Sequence, residues 1–187
     1  MGLTIADMTT ASPISSLPLV EGDWALDTNH TSVGFTVSRF GLAKFRGRFG
    51  AVAAELVIGP STDDCAVTAT VAMASIDTGN PERDAHLRGA ELLDLEQRPT
   101  MAFRSTKVRG EGSSWIVDGE LAIGDQSRPL TLAVELGGVE DYLDGPRHVG
   151  FEATGEIRLQ DFGLGTLGAM FGDLVQIDLD LEFIEPA

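Results

Sequence analysis

The chain has 187 residues, of which 13 are basic and 29 acidic, for a formal charge of −16. Nucleic acid and anionic membrane surfaces repel such a protein, which sets both aside as partners, while 43% hydrophobic content is ample for one domain with a core. Cys65 is the only cysteine, so no internal disulfide is available, and on the apolar face of a strand it reads as a small hydrophobe rather than a nucleophile.

Residues 1–20 carry no Lys or Arg, and Asp7, a Thr/Ser run and Pro13 interrupt any apolar stretch. They read as a disordered tail ahead of a domain over residues 21–187, with no secretory signal. Nothing later approaches the roughly 20 apolar residues of a membrane span, so a cytoplasmic protein without stable membrane insertion is expected.

From Trp24 onward the chain alternates. "TSVGFTVSR" puts Val33, Phe35, Val37 and then Arg39 on one face, the period of two that marks a half-buried strand. An arginine following three apolar residues into a core needs a partner or a ligand there. The next segment is read with Phe45, Phe49, Ala51 and Ala53 on one side. Then "CAVTATVAM" gives Cys65, Val67, Ala69, Val71 and Met73; "MAFRS" gives Met101, Phe103 and Ser105; "SWIVDGELAI" gives Trp115, Val117, Leu121 and Ile123. "PLTLAVEL" follows with Leu130, Leu132, Val134 and Leu136. "VGFEATGEIRL" contributes Val149, Phe151, Ala153, Ile157 and Leu159, and "LVQIDLDLEF" contributes Val175, Ile177, Leu179, Leu181 and Phe183.

Two segments break the pattern. "NPERDAHLRGAELLDLEQRP" offers Asn80 as a cap, Pro81 at the first helical position and Glu82 in the first turn, predicting a short helical segment near residues 81–97. "DFGLGTLGAMFGD" reads as a loop with one helical turn. About eight one-sided strands joined by Gly, Pro, Asp and Ser clusters predict an all-β fold, either a sandwich or a closed up-and-down barrel, and the long strands among them favour the antiparallel, eight-stranded barrel. Small residues on its inner faces (Ala51, Ala53, Ala69, Ala153, Gly119, Gly155) mean that such a barrel either bends tightly there or leaves a cavity.

No catalytic constellation stands out. His30, His86 and His148 are far apart in sequence, no two share metal-ligand spacing, and hydrogen-bonded or surface roles are expected of them. "QDFG" lacks every companion motif of a kinase. In "ERDAHL", Asp84 and His86 are the one candidate acid–base pair, and charges at a helix start more commonly form caps and ion pairs.

"LDTNHTSVGFTVSRFGLAKFRGRFG", "SIDTGNPERDAHLRGAELLDLEQRPTMAFRS", "IVDGELAIGDQSRPLTLAVEL" and the closing "VGFEATGEIRLQDFGLG…FGDLVQIDLDLEF" resemble, in order, the motifs of the YceI-like family, over about Trp24 to Glu185. The resemblance implies a lipocalin-like barrel with an elongated apolar tunnel, closed by the "RDAHLR" segment. It further implies non-enzymatic binding of polyisoprenoid or similar long-chain amphiphiles, some with a pyrophosphate head, and it admits a homodimer. Where the family commonly has histidine in "V-x-H-x-G", this chain has Arg39. Arginine is always charged and forks onto phosphate or carboxylate.

The expectation is therefore a carrier or sensor for an isoprenoid or fatty amphiphile, with no cofactor, no metal and no catalytic residues. The tail is expected among Val33, Phe35, Val37, Val67, Val71, Met73, Phe103, Trp115, Val117 and Phe151, with Arg39 and His86 near the head. An ion pair of Arg39 with a buried acid such as Asp161 weighs equally for that residue. The alternatives are a hydrolase-type enzyme on a small amide, lactone or isoprenoid in the same cavity, using Asp84 and His86, and a structural or stress-response domain with a filled barrel.

Overall fold

The computed structural model describes residues 17–39, 41–143 and 145–187, with the Arg39 side chain left out. The predicted tail lies outside the described residues as far as residue 16. Leu19 packs against the core around Trp24, and the carbonyl of Val20 accepts the indole N–H of Trp24 at 3.1 Å.

Eleven strands form one antiparallel sheet: β1 Gly22–Leu26, β2 Ser32–Arg39, β3 Ala43–Phe49, β4 Val52–Ile58, β5 Ala66–Ala72, β6 Ile76–Asp77, β7 Thr100–Glu111, β8 Ser114–Ile123, β9 Gln126–Asp141, β10 Arg147–Arg158 and β11 Leu174–Ile184. The short helices are α1 Pro81–Leu87 and α2 Gly165–Phe171. The eleven strands make eight staves, because the first three staves are each broken. β11 pairs with β2 along six residues and with β1 through Ala25–Ile184 and Leu26–Phe183, which closes the ring. β3 pairs with β2 and β4 with β1, so those four strands are two kinked staves. β5 and β6 form the third, interrupted by the 3-10 turn Met73–Ser75. β7 to β11 then follow as consecutive hairpin neighbours. The antiparallel, eight-stranded barrel expected from the alternation is the fold.

Up-and-down order sends alternate connections to opposite ends. The β6–β7 and β10–β11 connections, which hold α1 and α2, share one end, here the upper end, with the β2–β3 and β8–β9 turns. Two-residue turns join β7 to β8 and β8 to β9, and each opens on a glycine at positive φ, Gly112 and Gly124 at +62°. Only glycine takes that conformation without strain. Helix α1 starts as its sequence dictates, with Pro81 at N1 and the Asn80 side chain accepting the Arg83 N–H at 3.0 Å. It ends at Leu87, and residues 88–97 continue mostly as turns; helix and turns together make up the short helical segment expected near residues 81–97. α2 supplies a second short helix where one helical turn was predicted.

The core has two parts. The larger joins the barrel interior to the upper plug, with Leu87, Leu92, Leu93, Phe162, Leu164 and Leu167 packed on inward residues of the staves. The smaller, around Trp24, Ile58, Val149 and Phe183, fills the lower end.

Candidate functional site: an apolar tunnel through the barrel

The inward faces do not fill the barrel. They enclose a cavity of about 280 Å³ that reaches from Leu87, Leu93 and Phe171 of the upper plug to Leu17 and Phe183 at the lower end. That is close to the lower limit of ligand pockets, roughly 300–1,000 Å³. Among the described residues every lining side chain is apolar except the Cys65 thiol. A water there would find almost no partner, so the space is dry or holds hydrocarbon. Cys65 receives the Gly59 N–H at 3.3 Å, and burial pushes its thiol pKa up, which keeps it protonated and unreactive.

Ten of the residues singled out in the sequence, Val33, Phe35, Val37, Val67, Val71, Met73, Phe103, Trp115, Val117 and Phe151, line the cavity. His86 does not. It lies exposed on α1, whose buried side carries Asp84 and Leu87. Asp84 is only 6% exposed and accepts the backbone N–H and hydroxyl of Thr78. Residues two apart on a helix face different ways, so the geometry does not assemble Asp84 and His86 into an acid–base pair. Asp161 is exposed, not buried as the ion-pair reading of Arg39 requires. The Arg39 side chain lies outside the described residues; its backbone ends β2 at the upper end, opposite Ala43.

Of the small residues expected to open the cavity, Ala69 and Ala153 line it, but Ala51 and Ala53 are exposed. Between β3 and β4 the alternation slips by one residue, so Val52, Ala54, Leu56 and Ile58 face inward instead. The interruption has its own hydrogen bonds: Gly50 N–H donates to Ser75 and Ala72 N–H to the Ala51 carbonyl. Gly119 and Gly155 do not leave space either. A Cβ on Gly119 would run into the Phe103 ring, and one on Gly155 would lie 2.8 Å from Leu132. These glycines seat neighbouring side chains flat against the wall.

The upper rim was not foreseen from the sequence. Phe45 stacks on Phe171 with ring centroids 5.9 Å apart, and the Arg83 guanidinium lies 4.4 Å above the Phe45 ring. Arg83 is held there by Thr78, whose hydroxyl and carbonyl accept its Nε–H and Nη2–H at 2.8 and 2.7 Å. A cation is thus fixed on an aromatic side chain of the tunnel lining. The signal was present in "NPERD", where Arg83 lies just inside the predicted helix start, but its distance in sequence from Phe45 hid it.

The description of a YceI-like domain fits residues 24–183. The chain belongs to the YceI-like family. Protein YceI of Salmonella arizonae is 32% identical over 173 residues, covering 89% of this chain and 86% of that one. Among solved structures, the YceI protein of Campylobacter jejuni superposes with a TM-score of 0.71 at 25% identity, over 78% of this chain and 88% of that one. A polyisoprenoid-binding domain from Saccharophagus degradans, implicated in plant cell wall breakdown, shares the fold with a TM-score of 0.65 at 15% identity, over 87% of this chain and 98% of that one. The YceI-like barrel therefore spans essentially all the described residues.

Proposed function

We propose that this protein binds a long-chain amphiphile of isoprenoid or fatty type, without catalysis, its tail in the barrel tunnel and its head at the upper end. The cavity carries the proposal: with a continuous apolar lining, binding there is driven mainly by hydrophobic burial, worth about 0.8 kcal/mol per CH₂ before ordering costs. Membership of the YceI-like family and the polyisoprenoid-binding domain that shares the fold support the ligand class. A cavity of about 280 Å³ goes against a filled structural barrel. With no carboxyl, imidazole or amine lining it among the described residues, hydrolysis inside it lacks an acid and a base. Arg83 on Phe45, and Arg39 at the end of β2, favour the plugged end for the head.

Native mass spectrometry of the purified protein, followed by organic extraction, is the test. A bound, chemically intact lipid is expected, and stripped protein should take up a prenyl phosphate or a fatty acid at one per chain. Protein that is consistently empty and refuses both ligands would sink the proposal, and release of a cleaved product would replace it with the enzyme reading.

A further inference from the structure

Outside the tunnel, at the lower end of the barrel wall, the fold gathers two histidines and two carboxylates that are remote in sequence. Asp27 and His30 come from the β1–β2 connection, His148 from β10 and Glu182 from β11. The His30 Nδ1 lies 2.9 Å from Asp27 Oδ2 and 3.8 Å from Glu182 Oε1, while the His148 Nδ1 lies 2.6 Å from Glu182 Oε1 and 3.9 Å from Asp27 Oδ2. We propose that Asp27, His30, His148 and Glu182 form a binding site for a divalent transition-metal ion of the zinc class. The proposal is independent of the tunnel and its ligand.

Four atoms bound tetrahedrally at about 2.0–2.2 Å from zinc stand about 3.3–3.5 Å from one another. The ligand atoms of Asp27, His30 and Glu182 all lie within 4.8 Å of one another, and His148, 2.6 Å from Glu182 and 3.9 Å from Asp27, stands beside them as the fourth donor. Two imidazoles and two carboxylates are a donor set that suits zinc and its first-row neighbours, and the pair of negative charges balances a divalent ion. Three of the four residues have a further contact. The Asn29 N–H donates to Asp27 Oδ1 at 2.8 Å and leaves Oδ2 turned toward the histidines. The Tyr142 ring packs on His148 with centroids 4.5 Å apart. The Glu182 N–H donates to the Thr31 hydroxyl. The Asp27, His148 and Glu182 side chains are 10%, 15% and 24% exposed, and His30 at 61% leaves an entry path. Without metal, two imidazole–carboxylate hydrogen bonds occupy the same atoms, and metal binding would displace their protons to water.

The location gives the ion a structural consequence. β1 and β11 close the barrel through only two residue pairs, and the four ligands bridge that seam between the β1–β2 connection, β10 and β11. Bound metal would staple it.

The test is titration of the metal-stripped full chain with Zn²⁺ by calorimetry and with Co²⁺ by its visible ligand-field bands. One equivalent is expected, with a tetrahedral Co²⁺ spectrum and a higher melting temperature in Zn²⁺. His30→Ala and His148→Ala should each weaken binding about tenfold or more, and His86→Ala, on the remote exposed helix, should leave it unchanged. Should a variant fail to fold, imidazole nitrogen NMR of the unaltered protein decides: Zn²⁺ must shift the Nδ1 signals of His30 and His148 and spare those of His86. The proposal is overturned if no stoichiometric binding occurs, if binding survives loss of both histidines, or if those nitrogen signals stay in place.

Discussion

Arg39 ends a strand whose Val33, Phe35 and Val37 all line the tunnel, and β2 pairs with β3 in unbroken register up to Arg39 and Ala43. On the proposed function, an arginine at the end of that strand would hold an anionic head. Its guanidinium can fork onto phosphate or carboxylate, whereas methionine keeps bulk and apolar contact but removes the charge. Arg39→Met is therefore expected to weaken a prenyl phosphate about tenfold or more, the loss of a charge-assisted hydrogen bond at ~1.5–3 kcal/mol, and to leave the matching prenol nearly untouched. Parallel titrations of the two ligands check this, and equal losses would assign Arg39 to the fold. At this scale the sequence was legible where one strand alone decides orientation, as it does for the ten lining residues. It was silent where residues from separate staves meet. Nothing in the spacing of His30 and His148 shows that both reach Asp27 and Glu182, because the closing of the barrel, not local periodicity, brings them together.

Among elements, the strands and their inward faces follow from alternation, since a side-chain period of two leaves little choice once one face is apolar. The errors come from single inserted residues. The break between β3 and β4 reverses which alanines face the tunnel, as any slip of one residue does. In β7 the register shifts between Ser105 and Lys107, and the Ser105 hydroxyl accepts the Val67 N–H at 2.9 Å, standing in for a ladder bond that the bulge displaces. Neither break has a proline to announce it. Helix α1 was legible because its start is written in local chemistry. The Asn80 side chain satisfies one orphan N–H without disturbing the core, so Asn80→Ala should lower stability by about 1 kcal/mol, within the ~0.5–2 kcal/mol range of lost caps. Urea unfolding would show a lower midpoint at unchanged slope. An unchanged midpoint would mean that Thr78, through Asp84 and Arg83, fixes the helix start without the cap.

For the whole molecule, charge governs how stability responds to pH and salt. A surface at −16 repels itself, yet some of its carboxylates gain from local partners. Hydrogen bonds from Arg109 and then from the Thr131 hydroxyl hold the Asp118 pKa down. The Gly79 N–H and then Arg48 do the same for Asp77. A carboxylate with a lowered folded pKa contributes stability that is present above its unfolded pKa and is lost as pH falls through the folded value. Their contribution therefore changes with pH only on the acid side, as pH falls through the ordinary carboxylate range and below it. At pH 7 their contribution is fully present, and what salt can change is the repulsion among the excess negative charges. Raising salt from about 0.01 M to 0.1 M shortens the screening length from ~30 Å to ~10 Å, which damps long-range repulsion more than contacts between neighbouring groups. Melting temperature at pH 7 is therefore expected to rise with sodium chloride. Near the isoelectric point of about 4.3 the net charge vanishes, and that rise should disappear or reverse, leaving the ion pairs of Asp77 and Asp118 as what salt weakens. Melting curves at the two pH values, each at low and moderate salt, measure both signs. A melting temperature that falls with salt at pH 7 would mean that local pairs such as Arg109–Asp118 and Arg48–Asp77 outweigh the repulsion of the whole surface.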